Sequence, residues 1–150
     1  MKLFKIVGPI HFANRENLRR FIVKGTGLDP KELQKETDKQ TEFEFAKEKL
    51  MHAIKNGSYF PGPSIYRILI IDCSGVSYID SAGGKFLEQL WGDYDKANIS
   101  LCLAGLPENV YEIMSKSGSL KTFPSEHLFH SIHDAVIILK QAKDPFKTKL

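Results

Sequence analysis

A chain of 150 residues with 42% hydrophobic residues and a formal net charge of +3 has the size and apolar content of one domain with a real core. The charge is too mild, and its basic residues too interspersed with acids over residues 30–49, for a nucleic-acid binder; two cysteines, Cys73 and Cys102, each inside an apolar run, exclude a disulfide scaffold and read as buried free thiols of a reducing compartment. No segment reaches the eighteen or so apolar residues of a membrane span and no secretory apolar stretch follows Met1, so the chain itself reads as soluble, while the strand-like run directly after Met1 suggests a piece excised from a longer protein.

Leu3, Phe4, Ile6 and Val7 predict a first strand ended by Gly8 and Pro9. Asn14 is a candidate N-cap for a helix whose apolar stripe is Leu18, Phe21 and Ile22, stopped by Gly25-Thr26-Gly27. Pro30 after Asp29 opens a charged helix with Phe43, Ala46, Leu50 and Ile54 on one face, followed by a loop over residues 56–64. Ile65 to Cys73 is nearly continuously apolar, as in a strand buried on both faces, and ends at Asp72 to Gly75. Val76, Ser77 and Tyr78 carry the connection to a helix capped by Asp80 or Ser81, with Phe86, Leu87, Leu90 and Trp91 on its apolar face. Ile99 to Ala104 predicts a further buried strand and Pro107 a helix containing Val110, Ile113 and Met114. Residues 123–125 read as a turn and 130–141 as a last helix, with Ile132, Val136, Ile137 and Leu139 available for burial and Asp134 favourably placed in its first turn. This order predicts an α/β domain with a mainly parallel sheet.

The residues with chemical interest are Asp72, Ser74, Asp80, Ser81, Gly83 and Gly84. They stand where a strand ends and a helix begins, as at ligand sites on the C-terminal edge of a parallel sheet, and free N–H groups at a helix start suit an anion. Capping by Asp80 or Ser81, with glycines permitting close packing, accounts for the same residues. A phosphate on Ser81 would place strong acceptor oxygens and negative charge beside Asp80. No phosphate-binding or dinucleotide fingerprint is present. His127, His130 and His133 lack a third group that would make a metal site. Neither Ser74 nor Ser81 has a histidine nearby in sequence to act as a base. The residues therefore predict no catalytic centre, no metal and no cofactor. Lys2, Lys5, Arg15, Arg19, Arg20 and Lys24 form the densest basic group, which reads as a solvated face or as a contact for acidic lipid.

Residues 68–83, ILIIDCSGVSYIDSAG, resemble the central signature of the STAS fold, the domain shared by sulfate transporters and anti-sigma factor antagonists. The segments FKIVGPIHFAN (residues 4–14), TGLDP (26–30) and LFHSIHDA (128–135) are similar to the opening strand, the following element and the start of the last helix in eukaryotic sulfate-permease-type (solute carrier 26) transporters. The resemblance implies a small mixed, mainly parallel sheet flanked by helices, as a single domain over residues 1–150 with a shortened variable insert at 31–64. It implies a non-catalytic regulatory, folding, trafficking and dimerisation module on the cytosolic face of a membrane, the plasma membrane being expected, attached to the membrane-spanning part of an exchanger of sulfate, chloride, bicarbonate or oxalate. Regulatory proteins or a nucleotide are expected further partners, the latter at Gly8 to His11 and Asp80 to Gly84; nucleic acid is not. Ser81 stands where bacterial relatives accept phosphate. Gly84 departs from the branched apolar residue usual there and is expected to loosen or shorten the helix start. The alternative is a stand-alone antagonist-like protein binding a kinase or a nucleotide-binding partner.

Overall fold

The computed structural model of the chain describes residues 1–36, 38, 39 and 67–141. Four strands, β1 (Lys2–Ile10), β2 (Arg67–Ile79), β3 (Ile99–Ala104) and β4 (Leu128–Phe129), lie side by side in the order β1-β2-β3-β4. Helix α1 (Arg15–Thr26) follows β1, α2 (Ser81–Lys96) follows β2, α3 (Glu108–Lys116) follows β3, and α4 (Ile132–Gln141) follows β4. Residues 30–36 are also helical. The charged face at Phe43 to Ile54 and the loop over residues 56–64 lie outside the described residues.

Each strand steps to the next in the same direction, so right-handed crossovers place their helices on one face. Ile22 of α1, Phe86, Leu87 and Leu90 of α2, and Val110 and Met114 of α3 accordingly share one core with Leu69, Ile71, Leu101 and Leu103. The intervening residues Ile68, Ile70, Cys102 and Ala104 face the other way, under Ala135 and Leu139 of α4. The two-residue period thus divides the apolar run of β2 between two cores. Each fully buried Leu or Ile contributes about 1.5–3 kcal/mol. All three described strand pairings are parallel, where a mixed sheet was expected; the mainly parallel α/β architecture is as predicted.

Three elements differ from the sequence reading in ways that move the site. β1 does not stop at Gly8-Pro9 but runs to Ile10, and β2 does not stop at Asp72 to Gly75 but runs to Ile79; the two remain paired to Ile10↔Ile79 through two register shifts. Such bulges absorb the residues that sequence rules treat as breakers. Gly8 supplies a φ of +102°, Pro9 lies on an edge strand where a missing N–H is tolerated, and a Cβ on Gly75 would stand 2.7 Å from the Ile6 carbonyl oxygen. The last helix begins at Ile132, because Leu128 and Phe129 form β4 against Leu103 and Ala104. Ser131 caps it: its hydroxyl accepts the Asp134 N–H at 3.1 Å and donates to the Asp134 carboxylate at 2.8 Å.

Candidate functional site

The extension of β1 and β2 separates residues that the sequence places together. Asp72 and Ile79 lie opposite Lys5 and Ile10 of β1, so at about 3.3 Å per residue the strand carries Asp80 roughly 17–20 Å beyond Asp72. Asp72 and Ser74 form one cluster within the sheet, and Asp80, Ser81, Gly83 and Gly84 form another at its far tip.

At the tip Asp80 is the N-cap of α2, with extended backbone (φ −97°, ψ 175°). One carboxylate oxygen accepts the Gly83 N–H at 2.6 Å and the other accepts the Phe12 N–H at 3.2 Å. One side chain thereby holds a helix start and the turn after β1 together. Partial burial of Asp80 opposes ionisation, but the donors from Gly83, Phe12 and Ala82 and the nearby His11 outweigh it and hold the carboxyl below its usual value. Gly83 is fixed by close packing: a Cβ there would lie 2.4 Å from the Ile10 carbonyl oxygen. Gly84 is buried, and a Cβ on it would lie 2.7 Å from the Ser119 hydroxyl oxygen. The expected shortening of the helix at Gly84 does not occur, since α2 runs unbroken from Ser81 to Lys96; the backbone there packs against the turn after α3 in place of a side chain. Ser81 itself is exposed in the first turn of α2, beside exposed Phe12 and Tyr78.

Asp72 is only 3% exposed. Its Oδ1 accepts the Ser74 N–H at 2.9 Å, and Lys5, directly opposite on β1, reaches its Oδ2 at 3.5 Å. Burial pushes this carboxyl up, but the Ser74 hydroxyl and N–H and the Lys5 ammonium outweigh it and leave it lowered. A buried carboxylate with these partners is a structural fixture of the sheet. Its partner Lys5 was grouped with the basic residues in the sequence reading; only the parallel register reveals the pairing.

The remaining candidates have ordinary settings. Burial, joined for Cys73 by neighbouring Asp72, pushes the thiols of Cys73 and Cys102 up to about 12, so neither is a reactive thiolate at neutral pH. His127 is buried, with Nδ1 2.8 Å from the Leu101 carbonyl oxygen and 3.2 Å from the Trp91 indole nitrogen, while His130 and His133 are exposed. Asn14 occupies the N-cap position of α1 but turns backward: its side chain donates to the Pro9 carbonyl at 2.7 Å and accepts the His11 N–H at 2.9 Å. Arg15 lies over the Phe12 ring at 4.8 Å, and Arg19 pairs with Asp93 at 2.6 Å. Among the described residues no helix is long and apolar enough to cross a membrane.

With strand order, capped helix and tip in place, comparison with known proteins is decisive: residues 1–135 match the STAS domain family. The chain belongs to the STAS domain family. It is 30% identical to human sulfate anion transporter 1 over 148 residues, covering 91% of this chain and 21% of that protein. The chain therefore spans about a fifth of the length of such relatives. It superposes on a structure of solute carrier family 26 member 9 with a TM-score of 0.67 at 30% identity, over 93% of this chain and 20% of that one. A SulP transporter STAS domain from Vibrio cholerae shares the fold, with a TM-score of 0.53 at 17% identity over 94% of this chain and 84% of that one.

This STAS domain is thus homologous to domains of sulfate-permease-type transporters and, like the family, is a non-catalytic module. Its signature was legible as Asp80-Ser81-Ala82-Gly83. Phe12, the other half of the tip, carries no signal in its own sequence. It enters through a main-chain N–H that only the long β1–β2 pairing brings to Asp80.

Proposed function

We propose that this STAS domain is the cytosolic regulatory, folding and dimerisation module of a multi-pass secondary anion transporter of the sulfate, chloride, bicarbonate or oxalate class, in the plasma membrane. The observation that carries this reading is the similarity to human sulfate anion transporter 1 over nearly the whole chain but only a fifth of that relative. A domain with that relation to a transporter works through its membrane-spanning part, and the transported anion is coordinated there. On this reading residues 1–150 are one domain, with 31–64 a shortened variable insert, and the expected partners are the membrane part, a second copy and regulatory proteins.

The tip is the part of the domain suited to regulation. Asp80 spends its carboxylate on Gly83 and Phe12, while the exposed Ser81 hydroxyl forms no side-chain hydrogen bond among the described residues and is free to accept phosphate. Phosphorylation would add a group near two negative charges next to Asp80 and alter what the tip can contact. On the same reading an anion or nucleotide phosphate would meet the first turn of α2 from Asp80 to Gly84, where it has to compete with the Asp80 carboxylate for the Gly83 N–H. The test is anion flux by the full-length protein in a heterologous cell, with this segment present and deleted, while surface abundance is followed. The reading requires flux or abundance to fall on deletion; flux and abundance both unchanged would refute it.

A further inference from the structure

The basic group of α1 is divided by the fold. Lys5 neutralises Asp72, and Arg15 covers Phe12. Arg19, Arg20 and Lys24 instead meet Lys31 around a concavity of about 250 Å³, with Asp29 on its rim and Leu90 on its floor. Arg19 is held by Asp93 at 2.6 Å. Asp29 is committed to the Lys31 N–H at 2.9 Å. Arg20 is oriented by a neutral acceptor, the Asn17 side-chain oxygen. Among the described residues Arg20, Lys24 and Lys31 form no ion pair. Four cations against Asp29 and Asp93 leave two positive charges uncompensated in one recess.

Outside the recess, α1 also carries an exposed apolar side chain. Phe21 is 62% exposed and lies on α1 between Arg20 and Lys24, one turn before Lys24 and so on the same face. Separate cations converging on a recess fit the several phosphates of one small ligand, and guanidinium suits phosphate oxygens. An exposed aromatic among cations is the pattern of a surface that meets a bilayer.

We propose that this recess binds a phosphorylated inositol headgroup, with Arg20, Lys24 and Lys31 contacting its phosphates and Phe21 entering the lipid interface beside it. The inference stands apart from the transport reading and can fail without it. The test is co-sedimentation of the 150-residue chain with phosphatidylcholine vesicles carrying phosphatidylinositol bisphosphate, against vesicles matched in charge with phosphatidylserine, and with soluble inositol trisphosphate as competitor. Bisphosphate vesicles should bind more tightly than serine vesicles, and inositol trisphosphate should compete. Arg20→Gln, Lys24→Gln and Lys31→Gln, made together, should weaken binding by about fivefold per charge removed with an unchanged circular dichroism spectrum. Lys85→Gln with Lys96→Gln, in the mixed-charge cavity beside Trp91, should leave binding unaltered. Phe21→Ser should weaken vesicle binding and spare inositol trisphosphate binding, which assigns the site to the lipid; a silent Phe21→Ser assigns the same site to the free headgroup. Equal binding to serine vesicles, failure of inositol trisphosphate to compete, or equal loss in the Lys85/Lys96 variant would overturn the proposal.

Discussion

Asp72 and Asp80 lie on one continuous stretch of chain and both have carboxyls held below their usual value, yet they serve different ends. Asp72 is enclosed by the sheet and matched by Lys5 and Ser74. Asp80 sits at the open tip, where its two oxygens order a helix start and a turn and leave Ser81 exposed beside them. The contrast shows that a lowered carboxyl does not identify a functional site by itself. What distinguishes the two is the state of the neighbouring hydroxyl: that of exposed Ser74 is engaged by Asp72, whereas that of Ser81, on an ordered, solvent-facing turn, forms no side-chain hydrogen bond among the described residues.

The largest expected effect comes from the contact that builds the tip. Gly83→Val places a branched side chain where even a Cβ would lie 2.4 Å from the Ile10 carbonyl oxygen, and urea unfolding should show a loss of about 3 kcal/mol. A loss under about 0.5 kcal/mol would mean that α2 and β1 do not meet as described. Asp72→Ala should follow, at about 1–3 kcal/mol, because it leaves the Ser74 N–H without its acceptor. Asp80→Ala should cost about 1 kcal/mol, the usual scale of a lost N-cap, and should broaden the Phe12 and Gly83 amide resonances while sparing those of Ser74.

The acid limb of stability sharpens the same comparison. Both carboxyls are lowered in the folded state relative to 3.8, so the unfolded chain takes up their protons first as pH falls. The stability they contribute is fully present above the unfolded value and is lost as pH drops below about 4 through the folded values. Asp72→Asn and Asp80→Asn should each flatten that limb; an unchanged limb in both would remove these two carboxylates from the account. The smallest effect on folding is expected from Ser81→Asp. An exposed site with no side-chain partner should move unfolding by less than about 0.5 kcal/mol, while on the proposed reading the added charge alters transport.

Much of the architecture was legible because the periodicities are strong. Ile68 to Ile71 and Leu101 to Leu103 are apolar on both faces, which demands helices above and below, and Asp80-Ser81 before an apolar helical stripe marks a capped start. The tip's position was not legible. Gly8, Pro9 and Gly75 are breakers by composition, and a bulge is decided by pairing across the sheet, which no local window contains. β4 was missed for a related reason: Leu128 and Phe129 gain strand geometry only by lying against Leu103 and Ala104. The ion pair of Lys5 with Asp72 and the recess where Arg20 and Lys24 meet Lys31 likewise depend on register and helix docking.

The most direct test of the proposed division between a structural Asp72 and a regulatory tip is anion flux per molecule at the cell surface, measured side by side for Ser81→Asp and Asp72→Ala in the full-length protein. Ser81→Asp should change flux per surface molecule with abundance preserved, and Asp72→Ala should lower abundance with flux falling in proportion. Flux that merely tracks abundance in Ser81→Asp would contradict the account.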